Sequence, residues 1–81
     1  MTPLAAPITI RPGYADDELA LTRLAALDSA LRPPPRPLLL AEVGGELRAA
    51  LSLTDGSAIA DPFFPALHLV GLLRAHATAI A

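Results

Sequence analysis

The chain has 81 residues, of which 53% are hydrophobic and 17% charged, with a formal net charge of −2 at pH 7. That is too apolar for a disordered chain and lacks the basic face a nucleic-acid grip requires. The length allows one domain, and with no cysteine there is no disulfide or thiolate metal site to staple it.

The six basic residues are all arginines, scattered along the chain. The N-terminus MTPLAAPITI lacks the basic start and long apolar core of a secretory signal. No run reaches the ~18 apolar residues needed to span a bilayer. The longest candidate, residues 65–81, is interrupted by His68, Arg74 and His76. These features predict a cytoplasmic protein with no membrane span. A chain this short buries a modest fraction of its surface, and its apolar content exceeds what a lone small domain needs. A partner surface is one use for the excess.

Residues 1–7, with Pro3 and Pro7, read as a flexible leader to a single domain over 8–81. ITIR at 8–11 alternates apolar and polar side chains, the period of a half-buried strand. Pro12 and Gly13 stop it. Asp16 or Asp17 then caps a helix by accepting a hydrogen bond from an unpaired backbone N–H, and Glu18 adds charge that the helix dipole favours. Ala20, Leu24, Leu27 and Leu31 recur at helical spacing, with Leu21 at the edge of the stripe and Asp17, Arg23 and Ser29 facing away.

RPPPRP at 32–37 cannot be helical, because proline lacks an N–H and restricts the residue before it. It reads as a stiff extended connector. It also contains a PxxP pattern, Pro34 to Pro37, of the kind that docks in aromatic grooves.

LLLAEV, GG and ELRAALSL follow one another from 38 to 53. Two glycines between strand-like runs permit the positive φ values of a two-residue hairpin turn. That register pairs Val43 with Glu46 and Leu40 with Ala49. It puts Leu38, Leu40, Leu47, Ala49, Leu51 and Leu53 on a core face. The opposite face, with Leu39, Ala41, Val43 and Ala50 among polar neighbours, is half apolar, so something covers part of it.

Asp55-Gly56 marks a turn, and SAIA at 57–60 a further short strand ended by Pro62. Pro65 suits the first position of a helix. Residues 66–80 then read as helix, weakened at Gly71 by ~1 kcal/mol relative to alanine. Leu67, Leu69, Val70, Leu72, Leu73 and Ile80 wrap most of its circumference, which predicts contact on more than one side. The expected fold class is α+β: a small antiparallel sheet of three or four strands in the order β-α-β-β-β-α, the first helix on one face and the last on the other.

ITIRPGYADDELALTRLAALDSA resembles the opening of GNAT-type N-acetyltransferases: a strand ending in an I-R-P-like triplet, an acidic cap and a leucine-rich helix. LLLAEVGGELRAALSL resembles the hairpin that follows. The similarity covers residues 8 to 77 and corresponds to the N-terminal half of such a domain. It implies a half GNAT fold and, in a complete member, acyl-CoA-dependent N-acetyl transfer. The family's cofactor signature is an R/Q-x-x-G-x-G/A loop opening a helix, whose N–H groups hold the pyrophosphate of acetyl-CoA. Counted from Pro62, it falls on Pro65, Ala66, Leu67, His68, Leu69 and Val70, and none of the signature residues matches. No catalytic or cofactor-binding residue is carried over.

Other candidate groups have simpler readings. His68 and His76 stand eight residues apart, ~12 Å along a helix, too far to share one metal ion. Asp16, Asp17 and Glu18 fit a cap, Asp55 and Asp61 fit turns, and no nucleophile-elbow pattern surrounds Ser29, Ser52 or Ser57. Tyr14, before the first helix, reads as a packing residue with a wet hydroxyl. Phe63 and Phe64 either plug the core or form an exposed aromatic anchor.

The expectation is a non-catalytic, degenerate acetyltransferase-like module with no cofactor or metal. It acts through self-association or docking to a protein partner, with Phe63, Phe64, Leu69, Leu72 and Leu73 as the candidate interface. The alternative is an N-acetyltransferase whose acetyl-CoA cleft is completed by a second chain or copy.

Overall fold

The computed structural model describes residues 7–64 and 67–80. Its elements are β1 (Ile8–Pro12), α1 (Glu18–Leu27), β2 (Leu38–Val43), β3 (Glu46–Ser52), β4 (Ala58–Ala60) and α2 (Leu67–Ile80), with a 3-10 turn, Ala15–Asp17, leading into α1. The strands form one antiparallel sheet in the order β1-β2-β3-β4. The fold is α+β, as the order of sequence signals predicts. Position 65, expected to open the last helix, and residues 1–6 of the expected leader lie outside the described residues, while the carbonyl of Pro7, its last residue, accepts the Gly44 N–H.

The β2–β3 turn forms as the paired glycines require: Gly44 and Gly45 adopt φ values of 61° and 84°, and Val43 faces Glu46. The register then departs from the uniform hairpin. Glu42 pairs with Leu47, but Ala41 pairs with Ala49 and Leu40 with Ala50, so Arg48 is an extra residue on β3. Such a bulge shifts every later side chain by one position and swaps its face. The single core face of the sequence reading is therefore divided. Leu38 and Leu40 pack with Ala50, Ile59 and half-buried Leu47 under Leu21, Leu24 and Ala25 of α1. Ala49 and Leu51 pack with Leu39 and Ala41 under Leu69 and Leu73 of α2. Leu53 lies past the strand end and is 40% exposed. Both sheet faces are covered, each by one helix.

α1 buries Leu21, Leu24 and Ala25, one position round from the expected stripe. Ala20 and Leu27 are exposed, and Leu31 lies beyond the helix in solvent. The helix stops early because a Schellman motif closes it. Ser29 adopts φ 57°. Its N–H donates to Ala26 O, and the Ala30 N–H donates to Ala25 O at 2.8 Å. These bonds satisfy carbonyls that the helix end leaves unpaired. Ala30 then packs on the α1-side core. In the proline-rich connector Pro34 is buried, so the PxxP pattern does not lie open for a partner.

Candidate functional site

Two arginines organise the polar chemistry of the molecule. Arg11, on β1, makes a bidentate pair with Asp17: Nη1 donates to Oδ2 at 2.9 Å and Nη2 to Oδ1 at 2.7 Å. Nη2 also donates to Glu42 at 3.1 Å. The guanidinium lies 5.9 Å from the centre of the Tyr14 ring, whose residue is 60% exposed. The Tyr14 N–H donates to Asp17 at 2.7 Å. Asp17 thus occupies the N-cap position of α1 but makes no side-chain bond to that helix; its carboxylate reaches back across the 3-10 turn instead. Hydrogen bonds from Arg11, then the Tyr14 N–H, lower the Asp17 carboxyl to about 2 against the opposing effect of burial. Hydrogen bonds to Asp17 and then Glu42 raise the Arg11 guanidinium against the opposing effect of burial.

The second arginine is the bulge residue, Arg48. It donates to Asp61 at 2.8 Å and lies 3.3 Å from Glu46. Its guanidinium stacks 4.8 Å from the centre of the Phe64 ring, a cation–π contact. Its Nε is buried and makes no hydrogen bond among the described residues. The Asp61 side chain is only 6% exposed. Besides Arg48 it accepts the Phe63 N–H on Oδ1 at 2.8 Å, while the Phe64 N–H donates to the Asp61 carbonyl at 3.2 Å. Asp61 and Arg48 therefore bind the start of the β4–α2 connection to the sheet.

The five expected interface residues separate into three groups. Leu69 and Leu73, one helical turn apart, are fully buried against the sheet and belong to the core of this chain. Phe64 is half-buried beneath Arg48 and plugs the α2-side cluster. Phe63, 83% exposed, and Leu72, on the outer side of α2, face solvent. His68 and His76 are exposed, and among the described residues no group of acidic or histidine side chains could hold a metal ion. No helix of the described residues is long and apolar enough to cross a membrane.

A shallow groove of about 590 Å³ runs between α2 and the β3–β4 turn, lined by Leu53, Ala77, Thr78 and Ile80. Arg74 crosses it to donate to Gly56 O at 3.0 Å. The turn itself is tied by Ser52, whose buried Oγ accepts the Thr54 N–H. It is also tied by Asp55, which accepts from the Ser57 N–H and Oγ and is lowered by those bonds. Compared with known proteins, the chain matches no family model, no curated protein and no solved structure.

Sequence reasoning assigned no role to Arg11, Arg48, Glu42 or Glu46. One signal for Arg48 was present: a lone cation in an apolar strand needs a carboxylate, and Asp61 is the acidic residue beside the next strand.

Proposed function

We propose that this chain is a non-catalytic, acetyltransferase-like module that works by associating with another protein surface, its own copy first. The observation that carries this reading is the state of the turn after β4. A diphosphate held at such a turn needs free N–H donors and no competing anion. Here the Phe63 and Phe64 N–H groups already donate to Asp61, and the adjacent cation, Arg48, is held between Asp61 and Glu46. An anion brought to this turn would meet the Asp61 carboxylate, which supports reading the turn as no diphosphate site.

Association is supported by the apolar groups left outside the two cores. Phe63 is 83% exposed, Leu72 lies outward on α2, Ile80 is exposed at its end, and β1 and β4 form the margins of the sheet. Strand margins carry unpaired N–H and C=O groups that another chain can complete.

Calorimetric titration with acetyl-CoA tests the first half of the proposal. The expected result is no saturable heat. A saturable isotherm supports instead an acyl-CoA-dependent N-acetyltransferase cleft completed by a second copy. Light scattering over a range of concentrations tests the second half, with mass expected to rise above the monomer. A constant monomer mass removes self-association.

A further inference from the structure

The two margins of the sheet differ. At β4, the Ala60 N–H points away from β3 and is already taken: it donates to the Asp28 carboxylate at 3.2 Å. At β1, the Gly13 N–H donates to Leu38 O and the Gly44 N–H to Pro7 O. In an antiparallel ladder, residues whose backbone faces the partner alternate with residues whose backbone faces away. Pro7, Thr9, Arg11 and Gly13 thus face β2, and Ile8 and Ile10 present their N–H and C=O outward. Among the described residues nothing bonds to those outward groups.

We infer that β1 pairs antiparallel with β1 of a second copy, with the two-fold axis passing beside Thr9. This rests on the self-association reading above and specifies its surface. In that register Ile8 of one copy lies opposite Ile10 of the other, and each such pair exchanges both N–H···O=C bonds. The occupant is a second copy because the margin is self-complementary in three respects. Its outward donors and acceptors sit two residues apart, so a two-fold rotation superimposes them. Ile10 packs on the α2-side core and Ile8, beside it on that face, is 46% exposed. The four isoleucines of two copies extend the existing core across the join. Charge also permits it: Arg11, the strand's only charged residue, is neutralised within its own chain by Asp17 and Glu42, so no bare cation meets its copy.

The two Thr9 residues form the pair across the axis that lacks hydrogen bonds, with Cα atoms ~4.5 Å apart, inside the range that a disulfide spans. The chain has no cysteine of its own, so Thr9→Cys introduces a single thiol. Mild oxidation of Thr9→Cys is expected to double the mass on a non-reducing denaturing gel. Ile8→Pro removes an outward donor at the first residue of β1 and leaves the β1–β2 ladder intact. It is expected to hold the protein at monomer mass in light scattering, with its circular dichroism unchanged, and to slow cross-linking at least tenfold when combined with Thr9→Cys. If the parent self-associates while Thr9→Cys stays a free thiol and Ala58→Cys or Leu72→Cys is captured instead, β1 pairing is overturned and self-association stands. Equal cross-linking rates with and without Ile8→Pro mark random collision and overturn it too. A parent that stays monomeric at every concentration overturns both.

Discussion

Arg11 and Arg48 have the same companions and different consequences. Each meets two carboxylates and lies beside one aromatic ring, and in each case one aspartate also accepts a backbone N–H of a turn. Arg11 engages Asp17 through two parallel bonds at the outer strand, a geometry that satisfies the guanidinium well. Arg48 reaches Asp61 through one short bond across the bulge, and its buried Nε finds no acceptor among the described residues. The difference teaches where charge is costly. The Arg11 pair adds a modest increment at a surface that water reaches. The Arg48 pair holds a carboxylate that is only 6% exposed, so the loss of Arg48 leaves a buried anion with little solvent to take its place, whereas Arg48 itself is 27% exposed.

The sharpest way to break the comparison is Asp61→Ala. It takes the acceptor from Arg48 and the Phe63 N–H together and is expected to lower unfolding free energy by about 2 kcal/mol in urea titration. A loss below ~1 kcal/mol would show that Arg48 escapes to solvent beside Glu46 and that the two sites are equivalent. Asp17→Asn should cost less, about 1 kcal/mol, because Arg11 keeps Glu42 and partial hydration. That difference depends on pH. The folded Asp17 carboxyl lies at about 2, below its usual 3.8, so its contribution is present above the usual value and is lost as pH falls through the folded value. Parent and Asp17→Asn are therefore expected to converge in stability between pH 4 and pH 2. Replacing the whole buried pair, Arg48→Met with Asp61→Asn, should recover most of the Asp61→Ala loss and end within ~1 kcal/mol of the parent, since the orphaned Nε goes with the charge. The smallest effect is expected at Glu46→Gln, under ~0.5 kcal/mol, because that side chain is 72% exposed and its contact with Arg48 is long.

The architecture was legible because its signals are local. Two adjacent glycines specify a tight hairpin, and proline clusters separate strand from helix. The bulge was not legible. A period of two reads the same before and after an inserted residue, and what places Arg48 there is a carboxylate on the far side of another turn. The same distance hid Glu42 from Arg11. The α1 stripe missed by one position because the 3-10 turn carries Asp17 back to Arg11 and the Schellman closure leaves Leu31 outside. Within α2, apolar content alone did not separate inside from outside. Leu69, Leu73 and Ala77, four apart, turn to the sheet and Leu72 turns away, while Ile80, on the same face as Leu73, overhangs the groove beside Leu53 and stays exposed.

The Asp28 carboxylate that receives the Ala60 N–H has an effect beyond its own bond. Fibrous growth by strand addition requires a docking rim at each end of the subunit, so that every newcomer offers the next a fresh place to land. Here a negatively charged side chain lies over the shorter rim and repels an arriving backbone carbonyl. Under the pairing proposed above, this contact favours addition at the opposite side and steers a chain this rich in alanine and leucine away from open-ended polymers.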